Sequence, residues 1–249
     1  MSETIDTSDV RAHFADRAAH YDRSSNWCTD TALAEAIVAH TDAGPGHRVL
    51  DVACGTGLVS RLFKGRVAEI VGVDITREMA AQAAPRLDTF VEARGEALPF
   101  DDATFDRVTC RQGTQFMDDA AAIKEMARVL KPGGRAVVVN LCAYGDTDRD
   151  EYFEVLRLRN PARRNFYMRE DLSRLMRDAG LEPVVHDFVI DEDVDAWSDN
   201  KAISEARREG IRAVYRNASP AFAELHAVRI GEGRILDRML FGIAVGIKS

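Results

Sequence analysis

The chain has 249 residues, 46% hydrophobic and 30% charged, proportions that exclude a collagen-like, coiled-coil or disordered polypeptide. Its length predicts one compact domain with a sizeable core. Acidic residues outnumber basic ones 41 to 33, a net charge of −8, which argues against nucleic acid as a partner.

Cys28, Cys54, Cys110 and Cys142 form no C-x-x-C pair, so they suggest neither a zinc site nor a disulfide framework and fit a reducing cytoplasm. The start, MSETIDTSDV, is acidic and polar where a signal peptide is basic and then apolar. Apolar stretches such as 241–247 are too short to span a bilayer, so a soluble cytoplasmic protein without a membrane partner is expected.

In chain order, residues 8–40 read as two helices, through DVRAHFADRAAHY and DTALAEAIVAH, separated by the polar turn DRSSNWCTD. They precede the first strand and are expected to lie as a cap across the edge of a sheet. From 47 to 141 short apolar runs alternate with amphipathic stretches, the βαβ pattern of a parallel sheet with helices on its faces. Strands are expected at 48–54, 69–74, 89–94, 105–111 and 134–141. Helices fill the gaps: one after Gly57, one over 76–84 stopping at Pro85, and one over 118–130 ended by Lys131-Pro132-Gly133-Gly134. A helix over 148–159, another opened by Arg169-Glu170-Asp171, and a strand at 183–190 follow. The acidic run DEDVDAWSD reads as a solvated loop anchored by Trp197, before a helix over 201–216 and a last strand at 239–248. No internal repeat or low-complexity linker interrupts the chain, so 1–249 reads as one α/β domain.

The run Val49-Leu50-Asp51-Val52-Ala53-Cys54-Gly55-Thr56-Gly57 carries most of the chemical information. A buried strand runs into a glycine turn that opens a helix, a place where backbone N–H groups meet an anionic or polar ligand. A dinucleotide fingerprint wants a third glycine where Ser60 stands, which disfavours a nicotinamide-dependent oxidoreductase. Asp74 ends the next strand, where a carboxylate accepts from both hydroxyls of a ribose; the bland alternative is a helix cap.

VLDVACGTG, VGVDITREM, GEALPFDDATFDRVTCR and EMARVLKPGGRAVVV, in this order and at these intervals, resemble class I S-adenosylmethionine-dependent methyltransferases. The nearest resemblance is to the ubiquinone and menaquinone C-methyltransferases, strong over residues 46–141 and looser beyond. It implies a Rossmann-like, doubly wound, seven-stranded, mostly parallel sheet with an antiparallel last strand. It also implies a division into an N-terminal helical cap (1–45), a cofactor-binding core (46–141) and an acceptor-side part (142–249). By the same resemblance, Ala53, Gly55, Thr56 and Gly57 would cradle the methionine portion of S-adenosylmethionine, and Asp51 would steady the loop or meet the amino group. Asp74 would hold the ribose, Ile75 and Met79 would pack on the adenine, and Gly95 and Glu96 would border it. Arg94 and Gly95 stand where the family often has Asp or Asn followed by Ala, so the adenine amino contact passes to Glu96. Arg111 and Gln112 would floor the site beneath the sulfonium. Ile75 and Met79 read equally well as plain core.

Many relatives carry a His pair after the fourth strand; here Gln115 and Phe116 occupy those places, so a base supplied by that pair is absent and Gln115 is left to orient a substrate. Transfer from a sulfonium rests mainly on positioning and desolvation, so no dedicated base is required. His20 is the candidate if one is used, and Tyr21 and Trp27 would face the sulfonium from a lid; plain packing is the alternative for all three. Arg157, Arg159, Arg163, Arg164 and Arg169 read either as a clamp for an anionic acceptor or as a solvated face. His186 and His226 read as structural. No carboxylate set suggests a metal. The expected activity is methyl transfer from S-adenosylmethionine to O, C or N of a small-molecule acceptor such as a quinone-like or specialised metabolite. Its rivals are cofactor binding without transfer, and methylation of protein or RNA.

Overall fold

The computed structural model describes residues 8–15, 18–23, 26–29, 31–199, 203–231 and 233–249. It shows an α/β fold around one sheet whose strand order is β3-β2-β1-β4-β5-β8-β6. The strands are β1 (Arg48–Val52), β2 (Glu69–Asp74), β3 (Thr89–Glu92), β4 (Phe105–Arg111), β5 (Leu130–Cys142), β6 (Leu181–Asp193), β7 (Arg229–Gly231) and β8 (Arg234–Lys248). Neighbours from β3 through β5 pair in parallel, and β8 runs antiparallel to both β5 and β6. The seven strands expected are joined by an eighth, β7, which folds back on the start of β8.

Alternate residues of the central strands enter two separate cores, as a sheet covered on both faces requires. Val49, Val137, Val139 and Leu141 face one core, while Leu50, Val52, Ala136 and Val138 face the other. Helix α1 (Ser8–Ala15), a 3-10 turn (Ala18–Arg23), α2 (Asn26–Thr29) and α3 (Ala32–Thr41) precede the sheet. α3 covers the sheet's face rather than its edge, because Leu33, Ala34 and Ile37 recur at helical spacing and bury in the first core. α1 instead packs on α4 (Arg77–Ala83), above the carboxyl end of the sheet. α5 (Asp119–Val129) lies against β5, its first turn capped by the Asp118 carboxylate, which accepts from Ala121 N at 3.0 Å.

Four further expectations change. The helix after Gly57 is a series of turns with only a 3-10 segment, Ser60–Leu62: after one i to i+4 bond, Arg61 N to Gly57 O, the backbone bonds close at i to i+3 (Leu62 N to Val59 O, Phe63 N to Ser60 O). The DEDVDAWSD run is the end of β6 followed by α8 (Val194–Ser198), not a solvated loop. Asp193 caps that helix through the N–H groups of Asp195 and Ala196, and Glu192 and Trp197 are buried. The helix expected over 201–216 is α9 (Glu205–Arg216), and the last strand starts at Arg234, extended by its pairing with β6 and β7. α6 (Arg149–Arg159), α7 (Arg169–Asp178) and α10 (Pro220–Leu225) complete the described helices.

Candidate active site

Strand order reverses between β1 and β4, and a cavity open at its mouth lies outside the carboxyl ends of β1, β2 and β4. Asp51, Ala53, Gly55, Thr56, Asp74, Ile75, Met79, Gly95, Glu96, Arg111 and Gln112 all line it. Gly57 does not. It backs the loop at φ +78°, where an added Cβ would stand 3.2 Å from the Arg86 Cβ.

Each polar wall group has a definite support. Buried Asp51 accepts from the Ser60 hydroxyl at 2.5 Å and the Thr109 hydroxyl at 2.9 Å, so both of its oxygens brace the loop. Burial raises its carboxyl, and these two bonds oppose the rise. Asp74 accepts from Gly55 N and from Thr76 N, each at 2.9 Å, one on each oxygen, which fixes the plane of its carboxylate toward the cavity. Burial raises this carboxyl too, against the bonds from Thr76 and Gly55. Glu96 Oε1 accepts from Arg94 at 3.2 Å and from Asp118 N at 3.1 Å. Ala53 and Gln112 hold left-handed backbone at φ 53° and 54°, local strain at the ends of β1 and β4 where the wall forms. Gly113 is required between them: an added Cβ would lie 2.6 Å from the Ala53 Cβ. Met79 is buried yet belongs to neither core cluster, and with Ile75 it forms an apolar wall beyond Asp74.

The N-terminal segment closes over this cavity. Phe14 and Tyr21 line it, and the Phe14 ring meets Phe116 edge-on at 5.2 Å. The Thr56 hydroxyl donates to Asp22 at 2.5 Å, and Arg86 donates to the other Asp22 oxygen at 2.9 Å and to Thr56 O at 2.7 Å. This latch ties the 3-10 turn to the glycine loop. Sequence reasoning missed it, because Asp22 and Arg86 are 64 positions apart. The side chains of His20 and Trp27 lie outside the described residues.

A second cavity adjoins the first, and Phe14, Tyr21, Gln112 and Phe116 form part of both walls. Its remaining lining is Gln115, Leu141, Arg159, Asn160, Arg163 and Trp197. Gln115 is buried, and its amide nitrogen donates to the Gln112 carbonyl at 2.8 Å and to Gln112 Oε1 at 3.0 Å. Gln115 Oε1 and Gln112 Nε2 are buried without a protein partner. The arginine cluster divides. Arg157 pairs with Glu154, Arg164 is exposed and Arg169 bonds Asp187, whereas Arg159 and Arg163 turn inward.

His226 sits apart from both cavities, buried, with Nδ1 2.7 Å from Asp237 and Nε2 3.0 Å from Asp148. Burial lowers its affinity for a proton, but the two carboxylates outweigh that and raise it to about 9, so the ring is an imidazolium at neutral pH. His186, read as structural, stacks on His40 at 4.3 Å.

The cavity combines a carboxylate at a strand end, Asp74, an apolar wall of Ile75 and Met79, and the glycine loop. A model of the methyltransferase domain matches residues 50–138. The demethylmenaquinone methyltransferase of Beutenbergia cavernae is 32% identical over 232 residues, covering 90% of this chain and 92% of that protein. The YcgJ protein of Bacillus subtilis superposes with a TM-score of 0.79 at 25% identity, covering 86% of this chain and 97% of that one. The fold also matches geranyl diphosphate C-methyltransferase from Streptomyces coelicolor, in a complex that includes S-adenosyl-L-homocysteine, with a TM-score of 0.60 at 19% identity over 87% of this chain and 78% of that one. The chain therefore belongs to the class I methyltransferases of the demethylmenaquinone methyltransferase type, and it is an S-adenosylmethionine-dependent methyltransferase.

Proposed function

We propose that the first cavity binds S-adenosylmethionine and the second binds a small-molecule acceptor, with the methyl group passing between them beside Gln112. The observation that carries this reading is the wall common to both cavities, Phe14, Tyr21, Gln112 and Phe116. S-adenosylmethionine supplies an electrophilic methyl on a sulfonium. Asp74 accepts from the ribose hydroxyls, Ile75 and Met79 cover the adenine beside Gly95 and Glu96, and the loop at Ala53, Gly55 and Thr56 takes the methionine part. Asp51 acts through the loop, since its oxygens are already engaged by Ser60 and Thr109. Arg111 and Gln112 floor the reacting centre, and the latched N-terminal segment excludes water from it.

Quinone-like or other specialised metabolites are the acceptor class we assign, and a net charge of −8 disfavours nucleic acid. We read the transfer as metal-independent, because a sulfonium methyl is already electrophilic and needs positioning rather than a Lewis acid. No described helix is long and apolar enough to cross a membrane, and four buried free cysteines suit a reducing cytoplasm. Incubation with methyl-labelled S-adenosylmethionine and an extract of the source cells, followed by separation by size, tests the reading. Label in the small-molecule fraction is expected; label only in macromolecules contradicts the acceptor class.

A further inference from the structure

We propose that the second cavity takes its acceptor as an oxyanion, an ionised phenol, enol or similar acidic hydroxyl, with Arg163 as counter-ion and the unpartnered Gln112 Nε2, held in place by Gln115, donating to the oxygen. The proposal rests on the reading of that cavity as the acceptor's.

Sequence and local geometry place Arg163 deliberately. Asn160 ends α6, and a turn closed by Arg163 N to Asn160 O at 3.1 Å swings the chain back toward the sheet. The next residues are stitched to the turn after β4: Arg164 N and Asn165 N both donate to Gln115 O, and the Asn165 amide donates to Thr114 O at 3.0 Å and Met117 O at 2.9 Å. This fixes the Arg163 guanidinium in the cavity wall alongside Gln115, where it donates to Asn165 O at 3.3 Å. Among the described residues no carboxylate pairs with it. The titratable groups that face it are Tyr152, Tyr167 and Cys142, and burial pushes each of these up, so all are neutral at pH 7. Burial pulls Arg163 down only to about 10, so it remains a cation. Arg163 is half-buried, with its guanidinium 5.7 Å from the Phe166 ring centroid, and a partly buried cation without a carboxylate partner favours a ligand that supplies the counter-charge. Arg159 adds a second guanidinium to the same wall, fixed by its bond to Trp197 O at 2.8 Å and stacked on the Trp197 ring.

The chemistry agrees with this charge pattern. The acceptor leaves its proton in bulk water on binding, so no base is needed where Gln115 and Phe116 stand. Its oxygen, or the carbon conjugated with it, forms a bond to the methyl carbon while the S–C bond breaks and the electron pair returns to sulfur; a carbon acceptor is left as the neutral keto tautomer, whose carbon-bound proton passes to water as the oxygen regains one. Cation and anion disappear together, so a desolvated site favours the transition state over the separated charges.

The test uses 4-nitrophenol, whose neutral and ionised forms differ in visible absorbance, added to the full-length protein saturated with S-adenosylhomocysteine. Bound to wild type, the dye is expected to ionise more readily than free dye, by about tenfold or more in its acid constant. Arg163→Met should remove the shift and Arg163→Lys retain part of it, with S-adenosylhomocysteine affinity unchanged in both variants as the check on folding. Dye that binds as the neutral phenol, a shift that survives Arg163→Met, or no binding to the saturated wild-type protein overturns the proposal. Failure of S-adenosylhomocysteine to bind wild type would fall instead on the assignment of the first cavity.

Discussion

The first cavity is walled by strand ends, glycine-loop backbone and the carboxylates of Asp51, Asp74 and Glu96; the second is walled by side chains from helix ends and turns, with Arg159 and Arg163 and no described carboxylate. One is acidic and the other basic, and they meet at Gln112. A site made from backbone at a topological switch point can be kept while side chains around it change, whereas a site made of side chains from a long insertion is free to diverge. The contrast extends to how each half is fastened. The cofactor side is held by carboxylates bonded to backbone and hydroxyl groups, such as Asp74 to Thr76 N and Asp51 to Thr109, while the part of the chain after β5 is fastened by the buried, charged His226, Asp148 and Asp237 cluster.

Removing the cluster's cation should have the largest effect. His226→Leu leaves Asp148 and Asp237 buried without their partner and should cost about 3–5 kcal/mol in urea unfolding. The folded ring holds its proton up to about 9 against an ordinary value of 6.5. The stabilisation is therefore full below 6.5 and lost as pH rises through about 9, and the variant should lack this decline. A wild-type stability that is flat across that interval would refute the charged cluster.

Asp74→Ala should weaken S-adenosylhomocysteine binding by about 1.5–3 kcal/mol in calorimetry, the scale of lost charge-assisted hydrogen bonds. Because burial raises the Asp74 carboxyl and the ribose hydroxyls bind its ionised form, affinity should fall on acidification, starting above the usual carboxylate range. Unchanged affinity in the variant would remove the ribose role.

The latch should have the smallest effect. Its Asp22 and Arg86 side chains are both partly exposed, so Asp22→Ala is expected to raise KM for S-adenosylmethionine by about 0.5–1.5 kcal/mol equivalent with little change in kcat. A kcat that collapses while KM holds would show that the segment acts on chemistry rather than on cofactor retention.

The same contrast explains what the sequence disclosed. β2 and β4 match their expected bounds, because apolar β-branched runs between turn residues have one reading. The residues expected around the cofactor share one wall, apart from Gly57, since they follow one another at strand ends. The helix after Gly57 was misread because its apolar pattern does not reveal that Ser60 is tied to Asp51. The Asp22 to Arg86 latch and the His226 to Asp148 contact span 64 and 78 positions, beyond any local pattern. In the arginine cluster, spacing alone could not separate inward Arg159 and Arg163 from outward Arg157 and Arg164; the turn at Asn160 does.

A crystal structure of the protein with S-adenosylhomocysteine tests the two-cavity account most directly. The account predicts ribose hydroxyls on Asp74, adenine between Met79 and Glu96, and the sulfur beside Gln112 facing the second cavity. A ligand whose ribose lies away from Asp74, or whose sulfur faces away from Gln112 and Gln115, would contradict it.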